Sequence, residues 1–145
     1  MVMPDSPGTG SSKRADPNTI LSELCFLYLA CSHATDNELS DAELDTIIHC
    51  VRVWAPGQSI KAVDAVLERT LVLYTSIGSR VEKLKTASRC AHALRDKLAL
   101  DQLEAIIRDL ARIASADGEV IARERTFVEA TARSFGVVID DSLWS

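Results

Sequence analysis

The sequence has few aromatic side chains and no long hydrophobic run, and both shortages exclude classes of protein. Its longest unbroken apolar run, from Leu24 to Cys31, is far too short to cross a bilayer. The N-terminus has no apolar stretch behind basic residues, so it does not resemble a secretory signal. We therefore expect a cytoplasmic protein without a transmembrane segment.

Sequence patterns typical of enzymes and of nucleic-acid-binding proteins are also missing. There is no Glu-x-x-His pair for a di-iron bundle, no glycine-rich phosphate loop and no recognisable nucleophile motif. The net charge is −5 and aromatics make up only 5% of the residues, which disfavours a nucleic-acid partner. We expect neither catalysis nor nucleic-acid binding.

Cysteine spacing argues against disulfides and against a closed zinc site. The four cysteines are scattered through helical patterns, and none belongs to a CxxC or HxxxH arrangement. Three lie beside a histidine in the chain, which leaves zinc as a weaker alternative. Reduced thiols buried as small hydrophobes are the favoured interpretation for Cys25, Cys31, Cys50 and Cys90.

What the sequence does contain is helical periodicity along most of its length. Residues 1–17 are rich in proline, glycine and serine and are predicted to form a disordered tail, followed by one domain over 18–145. The first predicted helix, Thr19 to Ala34, is apolar nearly all round, which indicates a central position. Five amphipathic helices and a short last turn follow. The apolar face of the fourth helix is predicted to contain Val81, Leu84, Ala91, Leu94 and Leu98, and that of the fifth Leu103, Ile106, Ile107, Leu110 and Ile113. The predicted fold class is all-α, a compact bundle of six to seven helices.

Charge changes sign along the chain. Residues 1–50 carry −6, residues 51–100 carry +5 and residues 101–145 carry −4. If the outer segments pack together, one side of the molecule becomes anionic and the other cationic. Such polarity favours two different partners, and the basic positions are Arg80, Lys83, Lys85, Arg89, Arg95 and Lys97.

A pattern of acids occurs twice, 81 positions apart. In each copy an Asp is followed by a Glu two positions later and another Glu seven positions later, between an apolar helix and an amphipathic one. Apolar residues match at the same displacement, for example Ile47 with Val128 and Trp54 with Phe135. This predicts an internal pseudo-twofold duplication. The six acids are Asp36, Glu38 and Glu43, then Asp117, Glu119 and Glu124.

At these residues the sequence resembles the tellurite-resistance TerB family and its TerB-like relatives. The resemblance is carried by ACSHATDNELSDAELDTI in the first half and LARIASADGEVIARERTFVEATARSFGV in the second, and it extends over about residues 20–138. It implies an all-helical fold with internal pseudo-symmetry and clustered acids for a divalent metal. It also implies a cytosolic stress-response role in association with membrane-bound partners.

Carried over to this sequence, the metal ligands are the six acids of the duplicated pattern. Carboxylates suit Ca²⁺ or Mg²⁺, which prefer oxygen ligands. The loops are not EF-hands, because the twelfth position from the first Asp is Ile47 or Val128 where a bidentate Glu is needed. Acids at a helix start also stabilise the helix dipole, and Ser40 with Glu43 has capping-box spacing, so a purely structural role stays open.

Three functional hypotheses follow. The first is a TerB-like stress-response module that binds a divalent cation through the acidic loops and couples it to partner binding. The second is a metal-free protein-interaction scaffold with acidic and basic faces. The third is a thiol-based reductant of tellurite or another oxidant, which would need Cys25, Cys31, Cys50 or Cys90.

Overall fold

The computed structural model describes residues 17–32, 41–116, 118 and 122–144. Residues 1–16 of the predicted tail, and the first acidic loop at 33–40, lie outside the described residues, as do residues 117, 119–121 and 145, whereas Pro17 begins the first helix. All regular structure in the described part is helical, in agreement with the predicted fold class. The helices are α1 (Pro17–Ser32), α2 (Asp41–Trp54), α3 (Ile60–Ser76), α4 (Arg80–Lys97), α5 (Leu100–Ala114) and α6 (Ala122–Phe135), followed by a 3₁₀ turn (Asp141–Trp144).

Helix α1 is the centre of the bundle, as its all-round apolar pattern predicts. It packs against each of the other five helices, and every residue from Leu24 to Ser32 is at most 2% exposed. A helix without a polar face is stable in water only when neighbours cover every side. The other helices each turn one apolar face toward α1, and α5 buries Leu103, Ile106, Ile107, Leu110 and Ile113, as predicted.

Local sequence signals set the helix starts and stops. Ser59 and Ser79 accept hydrogen bonds from the backbone N–H three residues on, at the starts of α3 and α4. Pro56 and Gly57 follow the end of α2. At the end of α6, Gly136 adopts a φ of +74°, and the N–H of Val137 donates to the Ala132 carbonyl at 2.9 Å.

The helix bounds agree with the predicted 81-residue displacement. Shifting α2 by 81 positions reproduces the bounds of α6, and shifting α1 gives residues 98–113, close to those of α5. Burial agrees as well, because the four buried positions of α2 all have buried counterparts in α6. The matched pairs are Glu43 with Glu124, Ile47 with Val128, Cys50 with Thr131, and Val51 with Ala132. A twofold axis in space stays a prediction.

The prediction of which residues form the buried face of α4 is wrong at the N-terminal end of the helix. Val81 and Leu84 were expected to face the core, but they are 61% and 39% exposed. The buried face of α4 is instead formed by Ala87, Ala91 and Leu94. The two alanines are small enough to let α4 approach α1 closely, and this orientation leaves the first turns of α4 uncovered on the side toward α6.

Candidate functional site

Of the six predicted metal ligands, the structure places Glu43 and Glu124. Asp36, Glu38, Asp117 and Glu119 lie outside the described residues. Each described glutamate is the third residue of its helix, in the first turn of α2 or of α6. Their exposed fractions are 5% and 3%, which is unusually low for carboxylates.

Cys31, in α1, is a fully buried thiol whose pKa is affected by both glutamates. Burial raises the pKa of the Cys31 thiol well above its ordinary value, and the charges of Glu124 and Glu43 raise that pKa further. The thiol donates a long hydrogen bond to the Leu110 carbonyl in α5, with Sγ and O 3.8 Å apart. The third acids of both repeats therefore influence the ionisation of the same buried residue.

Burying two carboxylates near one thiol has an electrostatic cost, which their partners must offset. Like charges 5 Å apart repel by about 3 kcal/mol at an effective dielectric of 20. Both glutamates make interactions in the folded chain, so neither is an isolated buried charge. The first turn of a helix offers unsatisfied backbone N–H groups and the positive end of the helix dipole. This position suits a carboxylate that organises the helix start.

The start of the second acidic loop has the backbone conformation that its glycine predicts. Gly118 adopts a φ of +87°, in the left-handed region. Asn37 occupies the matching place in the first repeat, and asparagine tolerates that region better than most residues. The sequence therefore permits similar loop conformations in both repeats.

A second buried polar cluster was missed by the sequence analysis. The Tyr28 hydroxyl donates to Asp109 Oδ2 at 2.7 Å, and the Trp54 indole N–H donates to the same oxygen at 3.1 Å. Arg112 lies on the other carboxylate oxygen, with Nη1 and Oδ1 3.8 Å apart. The cluster joins α1, α2 and α5 through one aspartate.

The repeat displacement was the signal that could have revealed this cluster. Tyr28 and Asp109 are 81 residues apart, so they occupy equivalent positions of the two repeats. Two equivalent residues that touch lie close to any twofold axis relating the repeats. In the sequence, Tyr28 looks like one more apolar residue of a buried helix, because its hydroxyl does not change the helical pattern of apolar residues.

All four thiols are free and poorly suited to ionise. No cysteine takes part in a disulfide, as predicted. Burial raises the pKa of Cys25 to about 12 and is the main cause that raises the pKa of Cys50 and of Cys90, each to about 11. Near Cys50 the charge of Asp109 raises the pKa further, while Arg112 lowers it. The thiolate is the reactive form, so the thiol-based reductant hypothesis loses support.

The thiols are expected to react slowly with Ellman's reagent in the folded protein. At neutral pH, a pKa near 11 leaves a thiolate fraction about a hundred times smaller than that of an ordinary cysteine. Labelling at pH 7 should therefore be at least about a hundredfold slower than in 8 M urea. Rapid labelling of one thiol in the folded protein, assigned by mass spectrometry, would contradict this.

The Cys–His neighbours do not form metal sites in the described part of the chain. His49 and His92 are exposed, whereas Cys50 is buried and Cys90 half-buried. Adjacent or next-nearest residues on a helix point in different directions. Within residues 17–32, 41–116, 118 and 122–144, no group of three His, Cys, Asp or Glu side chains is placed to hold an ion.

Comparison with known proteins decides the family. The family model described as tellurite resistance protein TerB matches residues 26–143. The chain belongs to the TerB family. The match spans both halves of the duplicated pattern, and the all-helical TerB fold agrees with the helices observed. No curated protein and no solved structure matches the chain. Among its described residues, this TerB domain has no helix that is both long and apolar enough for a membrane span.

Proposed function

We propose that this TerB domain is a cytoplasmic stress-response module that binds a divalent cation through its two acidic loops and couples cation binding to a protein partner. The observation that carries the proposal is the matched burial of Glu43 and Glu124, each in the first turn of the helix that follows an acidic loop. Each glutamate directly follows one acidic loop in the chain. Helices α2 and α6 both pack against α1, so each loop leads into a helix that contacts the same central helix.

The six acids have two roles in this proposal. Asp36, Glu38, Asp117 and Glu119 supply ligand oxygens of the kind that Ca²⁺ and Mg²⁺ prefer. Glu43 and Glu124 serve as ligands or as organisers of the helix starts, and their burial in the first turns of α2 and α6 favours the second role. A cation between the loops would offset the repulsion between their carboxylates.

Calorimetric titration with Ca²⁺ and with Mg²⁺ tests the cation site. Saturable heat is expected, together with about 2.7 kcal/mol of added stability at a free cation concentration of 100 times Kd. The variant Asp36→Asn/Asp117→Asn should lose both effects. The matched control Glu68→Gln/Asp96→Asn removes two exposed acids from α3 and α4 and should keep both effects. Heat equal to that of buffer, with no change in melting temperature, would exclude the site.

The second candidate function is a metal-free interaction scaffold, favoured by the charge of α4. This helix carries six basic and two acidic residues, so its outer surface suits an acidic partner. In a scaffold, Asp36→Asn/Asp117→Asn would leave the melting temperature unchanged, or raise it by relief of repulsion, and would abolish capture of a partner bound by the acidic loops. Neither candidate involves catalysis, and the partners include membrane-bound proteins in both.

A further inference from the structure

The uncovered start of α4 and the outer face of α6 form a groove with an apolar floor. Two adjoining depressions of ≈ 440 Å³ and ≈ 180 Å³ share Leu84, Phe127 and Ala130. Many side chains along the line where the two helices meet are small, so they do not fill the space between the helices. We call this feature the α4–α6 groove; its lining includes Leu84, Ser88, Ala91, Phe127, Ala130 and Ser134.

The groove has the length of a short helix. Its lining runs from Arg80 to Ala91 along α4 and from Ala122 to Ser134 along α6. At a rise of about 1.5 Å per residue the two stretches cover about 16 Å and about 18 Å, close to the length of three helical turns. A concave apolar trough of this size accepts the apolar stripe of an amphipathic helix.

The charges around the groove have one sign. The only charged residues that line the two depressions in the described part of the chain are Arg80 and Arg123. Both lie at the same end, where α4 and α6 begin and where their helix dipoles are positive. Arg123 has no ion-pair partner among the described residues, whereas Arg125 on the other side of α6 pairs with Glu129 and Asp141.

We propose that the α4–α6 groove binds an amphipathic helix of a partner protein, with acidic residues of that helix lying between Arg80 and Arg123. The inference rests on the partner-binding part of the proposed function and not on the cation site. It also provides a physical link between the two parts. Arg123 is at the end of the groove, and its neighbour Glu124 is buried in the first turn of α6, the helix that follows the second acidic loop.

The test uses the full chain and a synthetic three-turn peptide. The peptide has leucines at positions i, i+4 and i+7 and glutamates at one end, and its matched counterpart has lysines in place of the glutamates. Binding is followed by fluorescence anisotropy and by amide chemical shifts in ¹⁵N spectra. The acidic peptide should bind saturably and shift the amides of α4 and α6 along the groove, and the lysine peptide should bind at least about tenfold more weakly.

Two groove variants and two matched controls locate the contact. Arg123→Glu should weaken the acidic peptide about tenfold, and Ala130→Leu should weaken it by filling the trough. Lys61→Glu and Ala65→Leu make the same changes on the exposed face of α3 and should leave affinity unchanged. Circular dichroism and melting temperature establish that each variant is folded.

Several outcomes would overturn the groove proposal. These are absence of saturable binding by the acidic peptide, equal affinity for both peptides, shifts confined to other helices, or binding unaffected by Arg123→Glu. If the protein adsorbs to phosphatidylglycerol vesicles but does not bind the peptide, the basic surface binds a membrane rather than a partner helix. Peptide titrations in EDTA and in Ca²⁺ distinguish the cation-site proposal from the groove proposal. The groove can bind the peptide although no cation binds, and a cation can bind although the groove does not bind the peptide.

Discussion

Replacing Asp109 with alanine is expected to lower the free energy of unfolding by about 4 kcal/mol, because two charge-assisted hydrogen bonds are lost at once. The carboxylate accepts from the Tyr28 hydroxyl and the Trp54 indole. Tyr28 is fully buried, so its hydroxyl would be left without the acceptor that it has in the folded protein. An unsatisfied buried donor is costly in addition to the lost bond.

Urea unfolding followed by circular dichroism measures this effect. Asp109→Asn keeps an acceptor oxygen for one donor and should cost roughly half as much. The control is Asp64→Ala, which removes an exposed ion pair with Arg52 at 3.1 Å and should cost at most about 1 kcal/mol. If Asp109→Ala is no more destabilising than Asp64→Ala, the buried cluster does not hold α1, α2 and α5 together.

Raising the pH from 8 to 10 is expected to lower the free energy of unfolding by about 4 kcal/mol through three buried thiols. The ordinary thiol pKa of 9.0 is raised to about 12 in Cys25 and about 11 in Cys50, and the pKa of Cys31 is raised as well. In the unfolded chain these thiols ionise near pH 9, whereas in the folded protein they stay protonated. The stabilisation is therefore complete below pH 9 and is lost as the pH rises toward the raised values.

Equilibrium unfolding under reducing conditions at pH 8 and pH 10 measures the loss. Each thiol contributes about 1.3 kcal/mol between these pH values. The variant Cys25→Ala/Cys31→Ala/Cys50→Ala should be less stable at pH 8, but its stability should fall much less between pH 8 and pH 10. A drop as large as that of the unmodified chain would show that other groups, such as lysines, cause the alkaline loss.

The sequence predicted the position of a helix best where burial of apolar side chains alone determines that position. Helix α1 is apolar on every side, so only a central position satisfies it, and α5 places five predicted residues in the core. The bounds of α2 and α6 follow from breakers and from the repeated pattern. The sequence did not predict that Val81 and Leu84 are exposed, because the rotation of α4 about its own axis relative to α1 decides which of its apolar residues are buried.

The candidate site was predicted only in part. The acidic residues and their duplication are visible in the sequence, and burial of Glu43 and Glu124 at matched positions agrees with that duplication. The effect of both glutamates on the pKa of Cys31 was not predictable, because it depends on the packing of α1 against α2 and α6. The Tyr28–Asp109–Trp54 cluster was missed for the same reason.

By itself the sequence determined the helical class of this TerB protein, the central place of α1 and the two sets of three acids. Periodicity and repetition are local properties, so they can be read along the chain without knowing the packing. The tertiary structure alone decided which side chains meet across helices: two donors at one aspartate, and two arginines at one end of a groove. Those contacts depend on helix rotation and approach, which the fit of side chains from distant segments fixes.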